Sequence, residues 1–305
     1  MNLSDILNTK FALRKLLINN TLHKNIKSIH KDLLTIQLEP EIRGILSLIA
    51  TEILKNPDII LIDKYNLDER KKDWNTLVKK NVIEENEIIK FDSRSRPGHK
   101  ILDHYMSHFY DVKNYKGKSV SQLFTQENLE KALLTNLSMH TTPYKSEIRR
   151  MIIMTNGLSN VTKYRAIITK GIVEFFKAKR VFDPCAGWGG RMIGTLAAKS
   201  EYVGCEPDKK TAIGLKNILE DLSIPEEIRK KGVIFNKTAE FILNSGTLKN
   251  EELFDIILTS PPYFNLEIYT NGEQSINMYP TWDEWVEKWL KNIILESLKH
   301  LNQMV

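Results

Sequence analysis

RVFDPCAGWGGRMIGTLAAK, residues 180–199, decides the fold. Val181 and Phe182 form a short apolar run that stops at Asp183 and Pro184. A glycine-rich corner follows, and then Met192, Ile193 and Leu196 recur at helical spacing. Strand, tight turn and helix in that order are the opening unit of a parallel sheet. The pattern repeats downstream. EYVGCEPD (201–208) predicts a second strand ending in acid, and TAIGLKNILEDL (211–222) a helix. GVIFNKTAEFI (232–242) predicts a third strand running into a helix, and LFDIILTSPPY (253–263) a fourth strand. Strands alternating with helices predict an α/β fold with helices on both faces of the sheet.

Upstream the pattern is different. Residues 1–90 read as mostly helical, with leucine and isoleucine at helical spacing through residues 13–38 and 41–54, and DIILID (58–63) as a short strand. FDSRSRPGHK (91–100) reads as a linker, because Arg96, Pro97 and Gly98 break any periodic pattern. HYMSHFYDVKNYKGKS (104–119) interleaves aromatics with lysines and histidines. That arrangement suits nucleotide stacking and phosphate contact, or equally a helix end and turn. The run Lys163–Lys179 predicts an amphipathic helix. After an irregular loop, 265–280, residues 281–301 predict a long helix, with Thr281 as N-cap, Glu284 three residues on, and an apolar stripe of Trp282, Trp285, Trp289, Ile293 and Leu301 that belongs to the core.

The 305 residues suffice for about two domains, and 42% of them are hydrophobic. No apolar run reaches the roughly 20 residues of a membrane span, and no secretory leader is evident. Two cysteines, Cys185 and Cys205, make neither a disulfide framework nor a zinc site, so no metal is expected and a reducing, cytoplasmic setting fits. The charge is uneven. Residues 92–180 carry 16 Lys/Arg against 7 Asp/Glu, whereas residues 181–305 carry 13 against 18. A polyanion held by the first stretch and chemistry housed in the second is the natural division. Lys113, Lys116, Lys118, Arg149 and Arg150 are candidates for phosphate contact, or ordinary surface cations.

In an open α/β sheet, ligands bind at the carboxyl ends of the strands. Gly187, Gly189 and Gly190 let the backbone approach a ligand there. The spacing departs from the dinucleotide fingerprint, and an Asp at the strand end would repel a pyrophosphate and suit a cationic amine. Glu206, at the end of the second strand, can accept both hydroxyls of a ribose. An ammonium group, a ribose and no phosphate describe S-adenosylmethionine.

LTSPPY (258–263) adds an amine cradle at the end of the fourth strand. FDPCAGWGGR followed some 70 residues later by LTSPPY resembles the S-adenosylmethionine-dependent DNA amino-methyltransferases, which methylate N4 of cytosine or N6 of adenine. The resemblance covers about residues 160–301. It implies a Rossmann-like class I methyltransferase sheet, with residues 161–305 as the catalytic domain; periodicity and charge divide the residues before it into a mostly helical region (1–91) and a basic segment (92–160). It further implies Asp183, Pro184, Ala186, Gly187, Gly189, Glu206 and Thr259 around the cofactor, and Ser260, Pro261, Pro262 and Tyr263 as catalytic residues. The Ser260 hydroxyl and the Pro261 carbonyl would accept the two amino hydrogens. The prolines would fix the direction of that carbonyl. Tyr263, with Phe264, would offer a ring to a flipped-out base. Ser at position 260 is similar to the N4-cytosine form, while Asp or Asn there is the usual adenine form.

Thr238 stands nearest to the family's adenine-contacting Asp, and Thr162, Lys163, Tyr164 and Arg165 lie where relatives touch the methionine end. Loop 265–280, with Tyr269, Asn271 and Gly272, could close over the target base. Cys185 reads as a packing residue. Family domains continue for three more strands, so the chain is expected to be a fragment lacking its last strands. DNA is the expected partner, with room for a restriction nuclease. The target base and the oligomeric state stay open, and N6-adenine methylation, RNA amino-methylation and a cofactor-binding protein without turnover are the rival readings.

Overall fold

The computed structural model describes residues 40–83, 95–139, 144–158, 161–248 and 253–302. The described residues fall into two units, one drawn from residues 1–62 and 110–160 and the other from residues 63–109 and 161–305. The second stretch of each unit is distant in sequence from the first. The helical run at 13–38 and residues 91–94 lie outside the described residues.

The larger unit is α/β. Its four-stranded sheet consists of β1 (Arg180–Asp183), β2 (Glu201–Cys205), β3 (Gly232–Phe235) and β4 (Ile256–Ile257), in the order β3-β2-β1-β4 and all parallel. Among the unit's described helices are α1 (Ala166–Phe175), α2 (Gly190–Ala197), α3 (Lys209–Leu219) and α4 (Ala239–Asn244). Register decides what meets at the sheet edge. Asp183 sits opposite Gly204 and Phe182 opposite Ile257. The residues just past β1, β2 and β4 therefore emerge side by side at the carboxyl edge.

Alternation along the strands feeds two cores. Tyr202 packs with Leu102, Met192, Ile193 and Leu215 on one face. Val203 and Cys205 point the other way, to Phe254, Trp285 and Trp289. Each fully buried large side chain contributes about 1.5–3 kcal/mol. Lys177 and Lys199 adopt left-handed backbone just past α1 and α2, an ordinary way to end a helix.

β4 is shorter than the apolar run suggested. Asp255 and Leu258 still donate to Arg180 and Phe182 of β1, at 3.0 and 2.9 Å, while Phe254 pairs instead with residues 300–302, donating to His300 and accepting from Asn302, each at 2.8 Å. The expected capping at Thr281 is present. The helix beyond it runs through a π-helical turn, Trp285–Leu290, that buries Trp285 and Trp289, whereas Trp282 is exposed. In the stretch expected as a linker, Gly98 is packed so closely that a Cβ would lie 2.8 Å from the Ile193 side chain.

In the smaller unit the described helices Pro40–Lys55, Gln126–Ser138 and Lys145–Thr155 enclose Leu46, Ile53, Leu129, Leu133, Ile148 and Ile152. DIILID forms a helical turn, Asp58–Leu61, rather than a strand; Pro57 starts it and Ile60 is buried. Arg149, a candidate for phosphate contact, is also buried. Its guanidinium donates to the Ile60 carbonyl and lies 5.0 Å from the Tyr110 ring centre. Arg150 pairs with Glu147 at 2.7 Å. No described helix is long and apolar enough to cross a membrane.

Candidate active site

A cavity of about 220 Å3 opens at the carboxyl edge of the sheet in the larger unit. The β1–α2 corner forms its floor. Gly187 and Gly189 have φ of 55° and 81°, the left-handed region that side chains disfavour. Gly190 is required by contact, since a Cβ there would lie 2.2 Å from the Tyr164 carbonyl oxygen. That close approach brings the segment before α1 to the cavity, which Thr162 and Tyr164 line. Lys163 turns away to Asp103, at 2.7 Å, and lies over the Phe109 ring. Arg165 is the N-cap residue of α1.

Glu206, past the end of β2, is only 9% exposed. Its carboxylate accepts one hydrogen bond on each oxygen, from Gly187 N–H at 3.0 Å and Asp208 N–H at 2.9 Å. Burial pushes its pKa up to about 7, with the Asp208 charge adding to the rise and the two backbone donors opposing it. Each oxygen keeps a lone pair, so the group can still accept a vicinal diol.

Asp183 behaves differently. It is fully buried and has its partners inside the protein. One oxygen accepts from Arg191 Nε and from the Tyr202 hydroxyl, both at 2.8 Å; the other accepts from Cys185 N–H at 3.2 Å. Burial, then the Asp183 charge, hold the Tyr202 phenol well above its usual pKa, so it remains a donor. The expectation that Asp183 meets a ligand amine is therefore not met in this geometry. Its carboxylate is used to hold the corner.

From the β4 side, Ser260, Pro262 and Tyr263 line the same cavity as Pro184, Ala186, Gly187 and Glu206. The Ser260 and Tyr263 hydroxyls are 3.3 Å apart, and Tyr263 is 55% exposed. Of the expected site residues, Asp183, Gly189, Thr259 and Pro261 do not line it. Gly189 is spent on packing, because a Cβ there would meet Leu215 at 2.7 Å. Thr238 lines the cavity and caps α4, accepting from Phe241 N–H at 3.3 Å. Burial pushes the Cys185 thiol up to about 12, which fits a packing residue rather than a nucleophile.

Sequence reasoning placed Tyr269 and its loop near the site but missed Trp188, Glu267 and Gln274. Trp188, held between two left-handed glycines, lines the cavity, its ring centre 5.2 Å from those of His108 and Phe109 and 6.3 Å from that of Tyr269. The Gly-Trp-Gly spacing was the available signal. Glu267, Tyr269 and Gln274 from the loop after Tyr263 also line the cavity, and Trp285 Nε1 anchors the loop by donating to Ser275 at 2.9 Å. Acids dominate: Glu206, Asp208, Glu240, Glu267 and Glu273 face it with Arg191. No protein-family model matches the chain, and no curated protein matches it.

Proposed function

We propose that the chain is an S-adenosylmethionine-dependent methyltransferase that modifies an exocyclic amino group of a base in DNA, with N4 of cytosine as the favoured target. The observation that carries this reading is one cavity shared by a strand-end carboxylate, Glu206, and the Ser260–Tyr263 corner. An acidic lining suits a cationic ligand and opposes a phosphate. Glu206 fits the ribose, since both its oxygens retain acceptor capacity. Pro184, Ala186 and Gly187 with Thr162 and Tyr164 fit the remaining cofactor, and Thr238 fits its base. Bound there, the cofactor supplies a methyl group already activated by its sulfonium charge.

The protein's own contribution is positioning. An exocyclic amine is a poor nucleophile because its lone pair is drawn into the ring. Ser260 accepts one amino hydrogen, which favours a pyramidal nitrogen with its lone pair free. Pro261 and Pro262 stiffen the corner that aims this acceptor. Tyr263, more than half exposed, presents a ring face to a base turned out of its helix. Alignment of two reactants in this way supplies much of the acceleration. Asp183 acts through Arg191 to keep the corner in shape.

Calorimetric titration with S-adenosylmethionine, followed by assay of demethylated cofactor in the presence of DNA, tests the reading. Saturable binding with DNA-dependent product is expected. Absence of cofactor binding would overturn it.

A further inference from the structure

Three described residues other than glycine have positive φ: Lys177, Lys199 and Phe264. The two lysines end helices. Phe264, at 52°, does not, and left-handed backbone is a strained conformation for an aromatic residue. Aromatic packing surrounds it. The Phe264 ring meets Trp282 and Trp285 edge-on, with centres 5.4 and 5.8 Å away. The turn is closed by Leu266 N–H donating to the Tyr263 carbonyl at 3.1 Å. Its consequence is that the chain doubles back, and Glu267 lines the cavity that Ser260 and Tyr263 line.

Glu267 is also prepared for a task. One carboxylate oxygen accepts from the Tyr269 hydroxyl; the other has no hydrogen-bond partner among the described residues. Burial, then this hydrogen bond, keep the Tyr269 phenol protonated, so it stays a donor that orients the carboxylate. Two of the other acids facing the cavity are already engaged. Glu206 holds two backbone N–H groups, and Asp208 caps α3 through Thr211.

We propose that Glu267 is the proton acceptor of the transfer, an inference that rests on the function proposed above. As the amino nitrogen's lone pair forms the new bond to the methyl carbon, the carbon–sulfur bond breaks and its electron pair stays on sulfur. The nitrogen then carries one proton too many. The free oxygen of Glu267 takes that proton, leaving a neutral methylated amine and a carboxylic acid that solvent discharges.

The test measures single-turnover transfer to DNA and, separately, cofactor affinity by titration. Glu267→Gln is expected to slow transfer about 100-fold with cofactor affinity unchanged. Glu267→Ala is expected to regain rate on addition of formate, which a structural role would not allow. Tyr269→Phe, which keeps the carboxylate, is expected to lose less than Glu267→Gln. Transfer by Glu267→Gln at the wild-type rate would overturn the proposal, as would a matching loss of cofactor affinity or no formate rescue. If the unsubstituted protein transfers no methyl group, the function proposed above falls and this inference with it.

Discussion

Asp183 and Glu206 are both strand-end carboxylates, and the structure uses them in opposite ways. Both acids were legible in the sequence; their partners were not. Arg191 reaches Asp183 from α2, and β-sheet register brings Tyr202 to it from the adjoining strand. Asp183→Asn leaves a buried guanidinium without its counter-charge and is expected to destabilise the fold by about 3 kcal/mol, read from denaturant unfolding. Glu206 must be ionised to accept two ribose hydroxyls, and burial raises its pKa to about 7. Cofactor affinity is therefore expected to fall as pH drops through about 7, and Glu206→Gln to bind weakly without that dependence; titration across pH checks both. Stability moves the other way. A carboxyl with a raised folded-state pKa contributes stability that is fully present below the usual glutamate range and is lost as pH rises toward 7. Ser260→Ala and Tyr263→Ala are expected to slow turnover while sparing cofactor affinity. Equal loss of affinity in both would contradict the role given to that corner.

Individual elements were legible where periodicity was strong. β1, β2, β3 and the helices between them follow apolar spacing, and the Thr281 cap follows its side-chain chemistry. Two features had no such signal. The π-helical turn at Trp285–Leu290 turns on where the tryptophans pack, and the left-handed backbone of Phe264 is a conformation its residue type disfavours. Both arise from tertiary contact. Tertiary contact also explains Gly190, whose missing Cβ admits the Tyr164 carbonyl. Gly190→Ala is expected to push residues 162–164 away from the cavity, lowering the melting temperature and weakening cofactor binding together. A variant with unchanged melting and affinity would contradict that account.

Across the whole molecule, the α/β unit was readable from its alternating pattern, whereas the division into units was not. Residues 63–109 pack with 161–305 although a separate unit's residues lie between them in sequence. Hydrophobic spacing reports local structure and carries no address for distant partners. Charge is a whole-chain property too. Lys116 and Lys118 are exposed in the basic stretch. Duplex DNA binding is expected to weaken steeply with salt. The Lys116→Glu, Lys118→Glu double variant is expected to reduce the salt slope by about 1 for each phosphate it no longer neutralises. The central claim is that one cavity delivers a methyl group to a base nitrogen. Its most direct test is mass spectrometry of nucleosides from DNA incubated with the protein and methyl-labelled S-adenosylmethionine. The expected result is labelled N4-methylcytosine, formed much more slowly by Ser260→Ala. Unlabelled DNA nucleosides, despite saturable cofactor binding, would contradict the account.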